Sequence, residues 1–174
     1  MLIIITGNGK GKTTSSIGQG IRALGQGKRV AMFQFIKSKT YPSGEDEILK
    51  KKFGKKFLYV KGGKGFVGIL GDKLPKSVHK KAAQDTFEKG RRAMQGGKYD
   101  LVILDELWVA LYLKLLTKAQ VQKLIKSIPE DMDVILTGRY APKEFINQAD
   151  LATECKEIKH PYQKGTRARK GVEY

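Results

Sequence analysis

Residues 2–14 read LIIITGNGKGKTT, and this stretch decides the fold. Its first apolar run, residues 2–5, is rich in β-branched isoleucine and predicts a short buried strand of a parallel sheet. A glycine-rich loop follows the strand, and Lys12 opens a segment with helical character. A strand, a glycine loop and a helix in this order indicate a phosphate-binding P-loop.

The loop would bind phosphate oxygens through its backbone N–H groups, aided by the dipole of the helix that follows. Lys12 is predicted to reach the outer phosphates, and the Thr13 hydroxyl to coordinate Mg²⁺. The loop is a variant, because Thr6 occupies the first glycine position of the usual G-x-x-x-x-G-K-[ST] pattern, so that Gly7 and Gly9 would supply the turn. The alternative is a flexible glycine turn without a ligand. The predicted nucleotide-binding residues of the loop are Gly7, Asn8, Gly9, Lys10, Gly11, Lys12, Thr13 and Thr14.

Length and composition limit the class of protein. With 174 residues the chain fits one domain with a sizeable core, which we expect to span residues 1–174. The sequence has no apolar run of membrane-spanning length and no basic leader, so it predicts a soluble cytoplasmic protein. The single cysteine, Cys155, excludes an intrachain disulfide and is interpreted as a small core residue in a strand. His79 falls in a lysine-rich helix, where we expect it to be exposed and without a role.

The chain is strongly basic, with 34 Lys and Arg residues against 17 Asp and Glu and a formal net charge of +17. This balance can indicate a nucleic-acid partner, but the lysines are scattered and the sequence contains no aromatic-basic stacking motif, which argues against nucleic acid. A lysine-rich solvated surface, adaptation to heat, attraction of anionic substrates and an acidic protein partner are equally compatible with the charge. Charge alone therefore does not identify the partner.

Strands alternate with helices along the chain, which is the pattern of an α/β domain around a parallel sheet. After the first strand at residues 2–5, strands are predicted at residues 30–36, 57–60, 101–104, 134–136 and 152–158. Helices are predicted at residues 12–24, 45–53, 75–94, 118–127 and 142–149.

Two acids follow the apolar strand at residues 101–104. Asp105 and Glu106 would lie where P-loop proteins hold Mg²⁺ or its waters, opposite the threonine hydroxyl of the loop. The alternative is a core strand followed by acids at the start of a helix. Because a P-loop is present, Asp105, Glu106 and Thr13 are the candidate residues for binding the metal ion or its waters.

Arg139 follows another predicted strand, in the sequence Thr137-Gly138-Arg139. Because loops at the carboxyl ends of parallel strands converge on one crevice, Arg139 is expected at the same edge as Lys12 and Glu106. An arginine there can stabilise negative charge on a phosphate leaving group, so Lys12 and Arg139 are the predicted catalytic residues. The alternative for Arg139 is a surface ion pair.

Residues 63–68 read GKGFVG and match the G-x-G-x-x-G pattern of dinucleotide-binding proteins. That pattern requires a helix that starts within it, whereas here residues 69–74 contain Gly71 and lead to Pro75. We interpret the segment as a loop that presents an exposed aromatic, Phe66, as a plain connection or as part of a substrate lid.

Several motifs together resemble one known family over essentially the whole chain. They are GNGKGKTT (residues 7–14), QFIK (34–37), LDEL (104–107), TGR (137–139), IKHPY (158–162) with Gly165, and GVEY (171–174). The combination is similar to the P-loop type of ATP:corrinoid adenosyltransferase and is far more specific than any single motif. The resemblance implies a RecA-like sheet, usually in a homodimer. It also implies transfer of the 5′-deoxyadenosyl group of ATP to the cobalt of a reduced corrinoid, with release of triphosphate.

The resemblance also assigns roles to residues. It prefers Glu106 over Asp105 on the metal side, places Arg22 among the nucleotide contacts and places Phe66 at the lower face of the corrinoid. It implies ATP as co-substrate, Mg²⁺, and a nucleotide bound in the reverse direction; an acidic, flavodoxin-like reductant would suit the basic charge. Well-known relatives carry a tryptophan where this chain has Gly68. Some also carry an N-terminal extension over the site, whereas this chain starts at the first strand.

Two other functions remain open at this point. A P-loop kinase or ATPase, including one that acts with nucleic acid, would use the same loop and acids but release ADP. A non-catalytic module that holds nucleotide or corrinoid would bind tightly without turnover.

Overall fold

The computed structural model of the chain describes residues 1–69, 71–161 and 165–172. Its described part contains one parallel sheet of six strands in the order β3-β2-β4-β5-β1-β6. The strands are β1 Leu2–Thr6, β2 Val30–Gln34, β3 Phe57–Lys61, β4 Leu101–Asp105, β5 Asp133–Thr137 and β6 Leu151–Glu154. The helices are α1 Lys12–Gly25, α2 Gly44–Phe53, α3 Lys76–Gln95, α4 Leu107–Tyr112, α5 Lys118–Lys126 and α6 Lys143–Ile146, with a 3₁₀ turn at Gly54–Lys56.

The helices cover both faces of the sheet, because successive strand side chains point to opposite faces and both sets are apolar. On one face, Ile3 and Ile5 of β1 pack in a cluster with Ile17 of α1 and Leu49 of α2. On the other face, the core includes side chains from β1 and from α3 to α6: Leu2, Ile4, Phe87, Trp108, Leu124 and Phe145. The predicted fold class, an α/β fold with a parallel central sheet flanked by helices, is confirmed.

The element boundaries differ from the sequence predictions by more than one residue at three places. Strand β2 ends at Gln34 rather than residue 36, β6 ends at Glu154 rather than residue 158, and α6 covers only Lys143–Ile146. Helix α4 was not predicted, because its apolar sequence, LWVALY, has no polar face that would give a helical period. These six residues are mostly buried against β5, which explains why they are apolar throughout.

The prediction for His79 was wrong. The side chain is buried on α3, and its Nε2 atom lies 2.9 Å from Asp72 Oδ2. The same Asp72 carboxylate accepts hydrogen bonds from the backbone N–H groups of Gly68 and Leu74. His79 therefore helps to anchor the loop that carries Phe66. No helix in the described ranges is both long enough and apolar enough to cross a membrane.

Candidate active site

The loop after β1 is shaped by the chain segment that follows β6. The N–H of Gly9 donates to the carbonyl of Cys155 over 2.7 Å, and the N–H of Cys155 donates to the carbonyl of Thr6 over the same distance. A Cβ atom at Gly9 would lie 2.7 Å from the carbonyl oxygen of Cys155, and Gly7 has a φ of 105° in equally close contact. The unusual spacing of glycines therefore follows from this close backbone approach. Cys155 is partly exposed beside the loop rather than a core residue of β6.

Lys12 is the first residue of α1 and is only 7% exposed. Its Nζ atom donates to the carbonyl of Gly9 over 2.6 Å, so the ammonium group is folded over the loop. Burial lowers the pKa of Lys12, against the opposing effect of Glu106. A buried cation that the protein itself compensates poorly is well suited to an anionic ligand.

Asp105 ends β4 and is completely buried. Its Oδ1 atom accepts hydrogen bonds from the hydroxyls of Thr13, at 2.9 Å, and Thr137, at 2.7 Å. Its Oδ2 atom accepts from Gln34 Nε2 at 2.8 Å and lies 3.7 Å from Lys37 Nζ. Asp105 is thus the centre of a hydrogen-bond network beneath the loop.

Glu106 lines the cavity instead of lying beneath it. Its φ of 63° is in the left-handed region, which is uncommon for a residue other than glycine, and its N–H is held by the Thr137 hydroxyl at 3.0 Å. Burial and the neighbouring Asp105 carboxylate raise the pKa of Glu106 to about 7, although Lys37 and Lys12 act in the opposite direction. Backbone strain and a raised pKa in a cleft are both features of functional residues.

Arg139 follows β5 and is exposed in the same cavity. Gly138 before it has a φ of 137°, and a Cβ atom there would lie 3.0 Å from the Trp108 Cβ atom. The turn therefore requires glycine, and it directs the following arginine towards the carboxyl edge of the sheet. Arg139 is close enough to lower the pKa values of both Lys12 and Glu106.

Phe66 is 46% exposed and also lines the cavity. Its ring centroid lies 6.3 Å from that of Tyr41, with the rings tilted by 58°. No helix starts in residues 63–68, which confirms that this glycine pattern does not form a dinucleotide fingerprint. A Cβ atom at Gly63 would overlap the backbone of Phe35 and Ile36, so this glycine reflects close chain packing.

The cavity that these elements enclose has a volume of about 810 Å³. It lies at the carboxyl edge of the sheet, where ligands bind in open α/β folds. The structure brings together the whole predicted loop from Asn8 to Thr14 with Glu106, Arg139 and Phe66. Gly7 lies at the start of the loop and Asp105 beneath it. The lining includes Asn8, Gly9, Lys10, Gly11, Lys12, Thr13, Thr14, Lys37, Glu45, Ile48, Phe66, Glu106, Arg139, Glu157, His160 and Val172.

Arg22 is the predicted site residue that the structure does not bring to this cavity. It lies ten residues after Lys12 on α1, which corresponds to about 15 Å along a helix. It lines a separate cavity of about 180 Å³ with Met1 and Asp133, where strands β1 and β5 begin. The family-based placement of Arg22 among the contacts to a nucleotide in the main cavity is therefore not supported within one chain.

Sequence reasoning missed Lys37. Its Nζ atom lies 3.3 Å from the Thr13 hydroxyl and 3.9 Å from Glu45 Oε1. A signal was present, because Lys37 ends the QFIK motif at residues 34–37, but no role was attached to it. Of the other family motifs, residues 158–161 and 171–172 are described, whereas Tyr162 and residues 173–174 lie outside the described residues.

The donor set fits Mg²⁺ better than a metal held by protein ligands alone. Thr13 supplies a hydroxyl and Glu106 a carboxylate. Asp105 supplies a buried carboxylate, which accepts a hydrogen bond from the Thr13 hydroxyl. In the part of the chain that is described, no group of three or more His, Cys, Asp or Glu side chains could cage a metal ion. Mg²⁺ is commonly held by one or two carboxylates with substrate phosphates and waters, so this arrangement is sufficient for it.

The parallel sheet and the glycine loop after its first strand define an α/β protein of the P-loop class. Comparison with known proteins identifies the family: the family model described as "ATP:corrinoid adenosyltransferase BtuR/CobO/CobP" matches residues 1–174. The chain belongs to this family, and the resemblance inferred from its motifs is confirmed.

Individual relatives agree with the family match. A "Corrinoid adenosyltransferase" of Sinorhizobium sp. is 34% identical over 175 residues, which span 100% of this chain and 80% of the relative. A protein of the same name from Escherichia coli K12 is 32% identical over 174 residues, which span 100% of this chain and 85% of the relative. Among solved structures, a KaiC-like protein from Pyrococcus horikoshii matches with a TM-score of 0.48 and 17% identity, over 99% of this chain and 67% of that one. That last likeness carries no functional argument.

Proposed function

We propose that this protein transfers the 5′-deoxyadenosyl group of ATP to the cobalt(I) of a reduced corrinoid and releases triphosphate. One observation carries the proposal beyond family membership. The glycine loop, Arg139 and the exposed aromatic Phe66 line a single cavity, so a phosphate site and an apolar ring share it.

The reaction needs positioning and charge stabilisation rather than a protein nucleophile. Cobalt(I) donates an electron pair to C5′ and forms the Co–C bond, while the C5′–O bond breaks and its electron pair leaves with the triphosphate. The loop amides, Lys12 and Arg139 are positioned to stabilise the negative charge that develops on this leaving group. We propose that Thr13 and Glu106 hold Mg²⁺, with Asp105 orienting Thr13; the ion would supply further charge neutralisation on the phosphates.

The cavity also supports a role for Phe66. An exposed aromatic ring in the same cavity as the phosphate loop can pack on the lower face of the corrinoid and exclude an axial ligand from cobalt. Excluding that ligand eases reduction to cobalt(I). Gly68 adds no second ring, so Phe66 would provide this apolar surface, with Tyr41 packed beside its ring.

Product analysis separates this proposal from its rivals. ATP incubated with chemically reduced cobalamin should give triphosphate and an alkylated corrinoid in equal amounts. Release of ADP would instead indicate a kinase or ATPase, and tight binding without turnover would indicate a carrier or sensor module.

Replacing the loop lysine tests the site itself. We expect Lys12→Ala to lower adenosyl transfer at saturating MgATP by about 100-fold or more, because a preorganised cation on the leaving group is lost. The melting temperature should change little, since burial lowers the pKa of Lys12 and its charge does not stabilise the unliganded fold. Lys28→Ala, on an exposed lysine paired with Asp133, is the matched control and should retain full activity. Unchanged transfer in Lys12→Ala would exclude the loop from the mechanism.

We also propose that the protein is a cytoplasmic homodimer, and that the cobalt(II) of its bound corrinoid accepts an electron from an acidic, flavodoxin-like partner. The net charge of +17 supports an acidic partner. Sedimentation equilibrium of the purified protein tests the dimer directly, and a monomer at working concentration would contradict it.

A further inference from the structure

A chain of buried polar side chains runs sideways through the sheet, away from the candidate metal side of the cavity. Asp105 on β4 accepts a hydrogen bond from Gln34 Nε2 on β2 over 2.8 Å, and the two residues are direct partners in the parallel ladder. The Tyr59 hydroxyl on β3 lies 2.7 Å from Gln34 Oε1 and 2.7 Å from Asp46 Oδ1 on α2. Four elements are thus joined by three short contacts.

The far end of this chain is a buried ion pair. Lys61 Nζ lies 2.7 Å from Asp46 Oδ2, and the two side chains are only 3% and 8% exposed. The remaining Lys61 donors reach the Ser43 hydroxyl and the Tyr41 carbonyl, each over 3.1 Å. Burial opposes ionisation of Asp46, but hydrogen bonds from Lys61 and Tyr59 keep its pKa below the ordinary value. The pair is therefore charged and nearly saturated with partners.

The ion pair determines where one wall of the cavity stands. Residues 41–48 contain Tyr41, which contacts the Phe66 ring, and Glu45 and Ile48, which line the cavity. Lys61 holds the backbone of this segment at Tyr41, and Asp46 holds the start of α2. Neither Asp46 nor Lys61 lines the cavity itself.

Stability alone does not account for these groups. A buried ion pair is commonly no more stabilising than well-packed apolar side chains of the same volume, whereas it fixes a unique geometry when all of its partners are satisfied. Every buried side-chain nitrogen or oxygen in the described residues has a hydrogen-bond partner within reach, and the single Tyr59 proton is shared between Gln34 Oε1 and Asp46 Oδ1.

We propose that Tyr59, Asp46 and Lys61 are positioning residues. They would hold the aromatic side of the cavity, which is Phe66 with Tyr41 packed behind its ring, at a fixed position relative to the nucleotide side at Asp105. The inference rests on the proposed function, because it assumes that the corrinoid meets the aromatic side and ATP the loop. The three side chains act through the wall that they anchor and contact neither substrate.

Tyr59→Phe tests the network with the smallest change, since it removes the hydroxyl and keeps the ring. With chemically reduced cobalamin as the probe, we expect kcat/KM for the corrinoid to fall about tenfold, the effect of one lost hydrogen bond to a charged group. The KM for ATP should stay within about twofold of the wild-type value, because Asp105 keeps its bonds to Thr13 and Thr137. Tyr99→Phe removes a hydroxyl near the start of β4 and is the matched control.

The double variant Asp46→Asn with Lys61→Met provides a second test, which remains decisive if a single change destabilises the protein. It removes both charges together and leaves no uncompensated ion, so the fold should persist while the corrinoid defect matches that of Tyr59→Phe. Unchanged corrinoid kinetics in an active protein would overturn the inference. It would also be overturned if both substrates were affected equally, in proportion to a lowered melting temperature. If the wild-type protein forms no alkylated cobalamin at all, the proposed function fails instead.

Discussion

At the scale of single residues, Phe66 has a large apolar ring that is 46% exposed and lies beside another exposed ring, Tyr41. An aromatic that anchors its loop to the core would be buried, so the exposure favours a ring that meets a ligand. Lys12 and Glu106 show the reverse arrangement. Phe66 is an apolar group exposed to solvent, whereas these two are ionisable groups that are partly removed from solvent.

We expect Phe66→Ala to impair the reaction selectively when it starts from cobalt(II) corrinoid. The lost ring can no longer exclude the axial ligand, so reduction becomes harder, whereas chemically supplied cobalt(I) bypasses that step. Comparing rates from the two cobalt states measures the effect, with the melting temperature recorded alongside. Ile69→Ala is the control, since Ile69 is an exposed apolar residue of the same loop. Equal rate losses from both states with a lowered melting temperature would indicate anchoring instead.

Glu106 should make the stability of the ligand-free protein depend on pH. Its pKa is raised from 4.5 to about 7 in the fold, so the folded state disfavours the ionised form that the unfolded chain adopts. The carboxylate therefore destabilises the fold above about pH 5. This cost is complete above about pH 7 and disappears as the pH falls below the unfolded value. Glu106→Gln should consequently raise the free energy of unfolding more at pH 8 than at pH 5.5, by on the order of 1 kcal/mol.

Denaturant titrations of the wild-type protein and of Glu106→Gln at the two pH values measure this difference. Glu88→Gln, an exposed acid on α3, is the control and should show no comparable dependence on pH. A Glu106→Gln effect that is equal at both pH values would mean that the carboxyl is not desolvated.

At the scale of elements, one carboxylate gathers three contacts in the second half of the loop between β3 and α3. Asp72 accepts from the N–H groups of Gly68 and Leu74 over 2.9 and 3.1 Å and contacts His79 Nε2 at 2.9 Å. The two backbone hydrogen bonds, together with His79, hold the pKa of Asp72 below its ordinary value. The Asp72–His79 contact therefore tethers the loop that presents Phe66 to α3.

Removing that tether should loosen the loop without disturbing the sheet. In Asp72→Asn, we expect faster hydrogen exchange at the Gly68 and Leu74 amides and a KM for the corrinoid that rises several-fold, with an unchanged KM for ATP. Asp85→Asn, which affects only an exposed ion pair with Lys81, is the control. Unaltered exchange at both amides would show that other contacts hold the loop.

The sequence predicted the elements that depend on local residue patterns. It failed where a residue's position depends on contacts with distant parts of the chain. The β1 strand and the α1 helix follow from an apolar run and a glycine loop, both readable in residues 2–14. Burial of His79 could not be predicted, because it depends on Asp72 folding back across seven residues. The spacing of Gly7 and Gly9 likewise requires Cys155, which lies nearly 150 residues away in the chain and beside the loop in space.

The same division applies to the candidate site. Lys12, Glu106 and Arg139 could be predicted because each follows a strand of the sheet, and strand ends converge by topology alone. The chain of polar side chains beneath the cavity could not be predicted. Gln34 and Tyr59 belong to strands β2 and β3, whose mostly apolar sequences indicate only core strands.

At the scale of the whole molecule, the net charge of +17 coexists with a cavity that contains acids as well as cations. The excess positive charge therefore lies mainly outside the cavity, on a lysine-rich surface. A field of this sign attracts any acidic partner over a distance of about 8–10 Å at moderate salt and accelerates its encounter. Attraction of this kind changes association rates far more than it changes a chemical step.

We therefore expect the salt dependence of adenosylation to depend on the electron source. When a reduced acidic flavodoxin-like protein supplies electrons to cobalt(II) corrinoid, the rate should fall about tenfold between about 50 and 500 mM salt. With a small chemical reductant the fall should be less than about twofold, because screening then affects only the charged substrates. Measuring both series on the same enzyme preparation isolates the protein–protein encounter, and the chemical series controls for salt effects on ATP binding. If the rate fell equally with salt in both series, the positive surface would serve solubility alone. The net charge would then no longer support an acidic reductant.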